Sequence, residues 1–129
     1  MARHRERNIE EGIEKICERN TRYRPQAYRF VYEALDYTVQ RLGERRHVTG
    51  RELCQGIRRF ALEQFGMLAP EVFREWGITR TDDFGEIVFT LVENGLLGRT
   101  EQDTRDDFRA VFDFEKAFVE DFDIDASLN

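Results

Sequence analysis

The chain has 129 residues, of which 40% are hydrophobic and 36% charged, and a formal net charge of −6. This composition predicts one soluble globular domain over residues 1–129, and two cysteines exclude a disulfide-dependent scaffold. No apolar run reaches the length of a signal sequence core or a membrane span, so we expect a cytoplasmic protein.

The charge is distributed unevenly along the chain. Residues 1–60 carry a net charge of +5 and residues 61–129 a net charge of −11. Nearly all the basic residues are Arg, which holds a carboxylate or a phosphate bidentately. The two halves either pair with each other or present opposite charges to partners. Cys17 and Cys54 lie at apolar helical positions and are predicted to be buried free thiols.

Two amphipathic helices are predicted in the first third of the chain. Apolar residues at helical spacing predict a helix from about Asn8 to Arg19 within an N-terminal segment, residues 8–24. A longer apolar stripe predicts a second helix from Pro25 to Leu42. Gly43 is expected to end it in the left-handed conformation.

The middle of the chain predicts a strand and two helices. Arg46–Val48 is predicted to be a short strand. Thr49 and Glu52 form the pattern of a capping box that opens a helix over 50–65. A short helix is predicted to follow from Pro70 to about Trp76.

A further helix and a hairpin are predicted next. The helix covers Asp82–Glu93 and is expected to be capped by Thr79 or Thr81. Short apolar segments then predict a β-hairpin over 97–112, with an acidic turn and a second strand over 108–112.

The order of these elements predicts a mainly α fold with a small β-hairpin (α+β). Residues 25–113 are predicted to be a winged helix-turn-helix-like core with an extra N-terminal helix. Asp113 is expected to cap a short last helix over 114–122, which begins a C-terminal helix and tail, residues 114–129.

Several sequence motifs carry a resemblance to a known family. The segments HVTGREL, EWGI, TDDFGEIVF and VFDFEKAF occur in this order. At these residues the chain resembles the Minf-type family of small bacterial proteins of unknown function, over nearly its whole length from Ile13 onward. No activity, cofactor or catalytic residue can be transferred to this chain from the resemblance.

The predicted third helix of the core is acidic. It carries Asp82, Asp83, Glu86 and Glu93 and no Arg or Lys, so in a major groove it would repel phosphates. We therefore predict a protein–protein interaction module whose acidic winged-helix-like surface binds a basic partner or a second protomer. Aromatic residues off the apolar stripes are further expected docking positions: Phe30, Tyr37, Phe108, Phe114, Phe118 and Phe122.

A basic patch supports an alternative function. The patch consists of Arg41, Arg45, Arg46, His47, Arg51, Arg58 and Arg59. It could bind RNA or DNA, a phosphate or an acidic protein. The competing interpretation is that these residues pair with the acidic half of the same chain.

The sequence predicts no catalytic residue, cofactor, metal or small-molecule substrate. His47 and Cys54 are close in sequence, but an exposed His beside a buried Cys is the favoured interpretation over a catalytic dyad. Asp121, Asp123 and Asp125 alternate as in a calcium loop, yet the Gly and the distal Glu of that loop are absent. The chain is thus predicted to be non-enzymatic.

Overall fold

The computed structural model describes residues 2–3, 8–44, 46–98 and 105–120. They form a mainly helical fold, which confirms the mainly α class. The α-helices of this part are α1 (Ile9–Arg19), α2 (Pro25–Leu42), α3 (Gly50–Phe65), α4 (Ala69–Glu75) and α5 (Thr81–Glu93). Shorter helical turns are Gly66–Leu68 and Arg105–Phe108, both 3₁₀, and the π-helical turn Lys116–Glu120.

Two short strands pair within the described residues. β1 (Ala2–Arg3) lies antiparallel to β2 (Leu97–Gly98), with Ala2 opposite Gly98 and Arg3 opposite Leu97. Leu97 is buried, so this pairing fastens the start of the chain to the segment that follows α5.

Local signals set several helix ends as predicted. The Asn8 side chain accepts a hydrogen bond from the N–H of Glu11 at 3.2 Å and caps α1. Gly43 ends α2 with a φ of 75°, a left-handed conformation that glycine adopts without a steric cost. Thr49 and Glu52 form the capping box of α3, with hydrogen bonds of 3.1 and 3.0 Å.

The cap predicted for α5 is wrong. Arg80 is the residue at the N-cap position, and the Asp83 carboxylate accepts hydrogen bonds from the N–H groups of Thr79 and Arg80 at 2.8 and 3.3 Å. The Thr81 hydroxyl instead donates to the Phe108 carbonyl at 2.7 Å. A carboxylate in the first turn thus replaces the threonine cap, since it satisfies N–H groups and suits the positive end of the helix.

Neither Arg46–Val48 nor residues 108–112 form the predicted strands. At 46–48 the Arg46 side chain folds back onto Glu44 and Glu52, while Val48 is buried as a single anchor. The segment therefore turns into α3 instead of extending along a neighbouring strand.

The second strand of the predicted hairpin is replaced by a 3₁₀ turn and an irregular segment. The Thr81 hydroxyl binds both the Phe108 carbonyl and the N–H of Val111, the latter at 3.0 Å, and the N–H of Ala110 donates to Asp82 at 3.1 Å. These backbone groups are thus satisfied by the start of α5. β2 pairs with β1, and residues 99–104 lie outside the described residues.

Asp113 caps the last helical segment as predicted. Its carboxylate accepts a hydrogen bond from the N–H of Lys116 at 3.1 Å. The predicted helix over 114–122 is described as far as residue 120, and it takes the π-helical form over Lys116–Glu120.

The core lies between α2, α3 and α5. Tyr28, Leu35, Ile57 and Phe84 are almost completely buried, which matches their places on the predicted apolar stripes. α2 and α3 approach closely where Gly56 faces Thr38, because a Cβ at Gly56 would lie 1.8 Å from the Thr38 hydroxyl. Gly56 is therefore required for this contact between the helices.

A second close contact fixes the C-terminal segment. The Phe108 side chain is 1% exposed, and its atoms would lie within 3.0 Å of a Cβ at Gly50 or Gly85. Phe108 thus packs between the start of α3 and the first turns of α5, where only glycine leaves room for its ring.

The expectation that off-stripe aromatics form a docking surface is wrong for Phe108, Phe114 and Phe118, which are at most 9% exposed because they pack into the core. Phe30 is 5% exposed, and its ring contacts those of Phe60, Phe65, Phe73 and Trp76. Tyr37 is half-buried, and Phe122 lies outside the described residues.

Candidate functional site

The acidic residues of α5 are largely engaged within the chain. Asp83 is 2% exposed and cannot contact a partner, which corrects its predicted role. Asp82 is half-buried and accepts from the N–H of Ala110. Glu86 and Glu93 are exposed; Glu86 contacts the Tyr23 hydroxyl, and Glu93 lies 3.7 Å from Arg105.

Tyr23 joins two of these carboxylates. Its hydroxyl lies 2.7 Å from Oδ1 of Asp83 and 2.7 Å from Oε2 of Glu86, and its single hydrogen can be donated to either. Burial, reinforced by both carboxylates, raises the pKa of Tyr23 well above its ordinary range. The cluster thus anchors the loop between α1 and α2 to α5.

Asp83 is ionised despite its burial. Burial acts to raise the pKa of Asp83, but hydrogen bonds from Thr79, Tyr23, Arg80 and Arg22 together lower it below its ordinary value. Arg22 lies 3.3 Å from the carboxylate and joins the basic half of the chain to the acidic half. Asp83 therefore has a structural role, which the number of acidic residues in α5 did not reveal.

The basic patch is partly neutralised by nearby carboxylates. Arg46 donates two hydrogen bonds to Glu52, at 2.7 and 3.0 Å, and one to Glu44 at 2.8 Å. The hydrogen bond from Arg46, with that from the Thr49 backbone, lowers the pKa of Glu52 to about 2. Arg46 is thus committed to the turn before α3, and its partners come from its own half of the chain.

The other described members of the patch lie on α2, on the segment before α3 and on α3. Arg41, His47 and Arg51 are exposed, and the Arg41 guanidinium lies 5.7 Å from the centre of the Tyr37 ring. Arg58 and Arg59 are half-buried. Arg45 lies outside the described residues.

The two cysteines are free thiols. Cys54 is fully buried, which raises the pKa of its thiol to about 12, so the reactive thiolate is scarce at neutral pH. Cys17 is half-buried, and burial also raises its pKa. His47 is exposed, as the favoured interpretation of the sequence had it.

The described residues contain no group of three or more His, Cys, Asp or Glu side chains placed to hold a metal ion. Asp121, Asp123 and Asp125 lie outside them. None of the helices in the described ranges combines the length and the apolar content that a membrane crossing requires.

A groove lined by aromatic rings lies between α2, α3 and the end of α4. We call it the aromatic groove; its walls are Phe30, Phe60, Phe65 and Trp76, and its volume is about 190 Å³. Phe60, Phe65 and Trp76 are half-buried, so their rings are in contact with solvent. Its polar rim is formed by Gln26, Arg29, Glu33 and Gln64.

Ring stacking holds these walls in place. Phe30 of α2 stacks on Phe60 of α3 with ring centres 5.0 Å apart, and Trp76 lies 5.6 Å from Phe30 and 5.8 Å from Phe65. At the rim, Arg29 binds Glu10 of α1 through two hydrogen bonds of 2.7 and 2.6 Å. Contacts among α2, α3 and the end of α4, together with the ion pair to α1, therefore shape the groove in the absence of a ligand.

Sequence reasoning missed this groove. Phe60 and Phe65 fall on an apolar stripe, and periodicity alone cannot distinguish a core position from the wall of an open groove. The available signal was the concentration of large aromatic residues near the ends of α3 and α4.

Comparison of the chain with protein-family models, with curated proteins and with solved structures found no match. The resemblance to the Minf-type family therefore remains a prediction.

Proposed function

We propose that this protein is a non-enzymatic, cytoplasmic protein-interaction module that receives an apolar side chain of a protein partner in the aromatic groove. The supporting observation is the half-buried state of Phe60, Phe65 and Trp76 in a preformed concavity. Aromatic residues in such concavities are typical energetic centres of protein interfaces.

The size and the rim of the groove define the partner's chemistry. A volume of about 190 Å³ is enough for one large apolar side chain, since a cavity of about 150 Å³ holds a benzene ring. Glu33 is exposed at the rim, whereas Arg29 is already paired with Glu10. The preferred partner therefore has an apolar anchor next to a basic residue.

This proposal moves the binding surface predicted from the sequence. Asp83 is excluded by its burial, while Glu86 and Glu93 are exposed and can add to the attraction of a basic partner. The similarity of the core to a winged helix-turn-helix domain remains a prediction, and it concerns only how α2, α3 and α5 are arranged.

Site-specific photo-cross-linking tests this function. Benzoyl-phenylalanine placed at the rim residue Gln64 is expected to form adducts with a bound protein in living cells, to be identified by mass spectrometry. The matched control is Gln55, an exposed residue nearer the start of α3. Adducts that are absent at Gln64, or equally abundant at Gln55, would contradict the proposal.

Nucleic-acid binding by the basic patch is the second candidate. It is favoured by the exposure of Arg41 and Arg51 and weakened by the pairing of Arg46 with two carboxylates. The expected result is retention of single-stranded RNA at low salt that weakens as salt rises. A double variant, Arg41→Glu with Arg51→Glu, should abolish it, and no binding by the unmodified chain at about 50 mM salt excludes this function.

A further inference from the structure

Two neighbouring apolar side chains are strongly exposed. Met67 is 50% and Leu68 61% exposed, and both belong to the 3₁₀ turn between α3 and α4. Among the large hydrophobic residues of the described part, Leu42 is the next most exposed, at 37%. We call Met67 and Leu68 the apolar knob.

The apolar knob adjoins the aromatic groove. Phe65, the last residue of α3, lines the groove, and the knob begins two residues later. Trp76, another wall, directly follows α4, the helix that starts after the knob. The exposed apolar side chains and the aromatic groove therefore share the C-terminal end of α3 and lie at opposite ends of the short helix α4.

A surface that carries both a protrusion and a matching concavity can bind its own copy through a two-fold axis. We propose that the partner in the aromatic groove is the apolar knob of a second copy of this chain, inserted reciprocally in a symmetric dimer. This inference rests on the proposed function of the groove. The side chains of the knob also have a suitable size, because Leu and Met are each a large apolar residue and the groove has room for one such side chain.

The charges around the two features are compatible with this exchange. Glu71 and Arg74 are exposed on α4 near the knob, and Glu33 is exposed at the rim of the groove. In the dimer, Arg74 of one copy approaches Glu33 of the other, twice by symmetry. Rim pairs of this kind set the orientation of an interface more than its affinity.

Sedimentation velocity of the full chain from about 1 µM to about 1 mM tests the dimer. The wild type is expected to show a concentration-dependent equilibrium between monomer and dimer. Leu68→Asp places a charge on the knob, and Gln64→Trp fills the groove from an exposed position. Each substitution is present twice in a symmetric dimer, so each should weaken dimerisation about 1000-fold, since the loss of one central anchor costs about 30-fold.

Matched controls separate this effect from general changes of the surface. Leu42→Asp removes an exposed apolar residue elsewhere, and Gln55→Trp adds an aromatic at an exposed position nearer the start of α3. Both should retain the wild-type dissociation constant. Circular dichroism should show the same helix content for all four variants.

A mixing experiment is decisive. A dimer of Leu68→Asp with Gln64→Trp retains one intact contact, the normal knob of the second variant in the normal groove of the first. The mixture should therefore dimerise more strongly than either variant alone. A contact between two knobs, or between two grooves, would not produce this recovery.

The outcomes distinguish the inference from the proposed function. A wild-type chain that stays monomeric at about 1 mM, or a dimer unaffected by both variants, overturns the inference. Adducts at Gln64 with a different protein would then still support the interaction module. A monomer that also forms no specific adduct at Gln64 refutes both.

Discussion

Tyr23, in the loop before α2, and Tyr28, in α2, are both buried, but their hydroxyl groups have different surroundings. The Tyr23 hydroxyl lies against Asp83 and Glu86, whereas the Tyr28 hydroxyl has no hydrogen-bond partner among the described residues. Both side chains are at most 4% exposed. The pair therefore separates the contribution of a hydrogen bond from that of ring packing.

Tyr23→Phe is expected to lower the free energy of unfolding by about 2 kcal/mol, because it removes a hydrogen-bond donor from a buried ionised carboxylate. Tyr28→Phe removes an unpaired hydroxyl from the core and should be neutral or stabilising. Urea unfolding measures both. Equal losses in the two variants would show that Tyr23 acts through packing alone.

The Glu52 carboxyl makes stability depend on pH. Its pKa is lowered to about 2 from an ordinary value of 4.5, so the unfolded chain binds this proton first as the pH falls. Its contribution is complete above about pH 4.5 and is lost as the pH falls through about 2. Glu52→Gln should therefore flatten the decline of unfolding free energy over this range, measured by urea titration at several pH values.

Glu44→Gln is the control for this pH dependence. Glu44 also binds Arg46, but its side chain is 65% exposed and caps no helix. The variant should leave the acid limb of the stability curve close to that of the wild type. An equal flattening by both changes would assign the effect to Arg46 and not to the capping box.

At the scale of the elements, the contact between α2 and α3 depends on one glycine. Gly56→Ala places a methyl group where the Thr38 hydroxyl lies, so the helices must separate. We expect a loss of about 1–3 kcal/mol in unfolding free energy, measured by thermal or urea denaturation. Adding Thr38→Ala should recover part of it, whereas Gln55→Ala at the adjacent exposed position should have little effect.

Helix boundaries were predictable because their causes are local. The caps at Gly43 and Thr49 depend on residues within a few positions and lie where the sequence predicts them, and α1 begins next to Asn8, the predicted start of that helix. The apolar stripes likewise identified most of the core. The cap of α5 is the exception: Asp83 binds N–H groups only three and four residues earlier, but Thr79 and Thr81 are also common capping residues at this helix start.

The predicted strand over residues 108–112 failed because its contacts are not local. The backbone at 108–111 is held by Thr81 and Asp82, which lie 27 to 30 residues earlier in the chain. Asp83 was assigned to the surface because its contact with Tyr23 spans 60 residues. Such partners depend on tertiary packing, so an isolated segment cannot reveal them.

At the scale of the whole molecule, the uneven charge does not simply pair one half with the other. Arg22 and Asp83 connect the halves, but Arg29 and Arg46 bind carboxylates of the first half. The sequence offered internal pairing or opposite faces as alternatives. The described ion pairs are set by proximity in the fold, and those within the first half leave its net charge of +5 unchanged.

The C-terminal segment is expected to depend on one side chain. Phe108→Ala removes the ring that packs between α3 and α5 and should cost about 3–5 kcal/mol. Hydrogen exchange should become faster at the N–H groups of Ala110 and Val111, which bind the start of α5. Phe112→Ala, at a half-buried position nearby, should have a smaller effect on both measurements.

The packing of Phe108 against Gly50 and Gly85 also has an evolutionary consequence. A Cβ at Gly85 would meet only Phe108, at 3.0 Å, whereas a Cβ at Gly50 would first meet the Cβ of Asp107 at 2.5 Å, so positions 85 and 108 share one volume. In related chains with the same packing, a larger residue at 85 should accompany a smaller one at 108. Such paired changes in size offer a way to recognise distant relatives, because they depend on side-chain volume in the core and would persist where the surface residues have all changed.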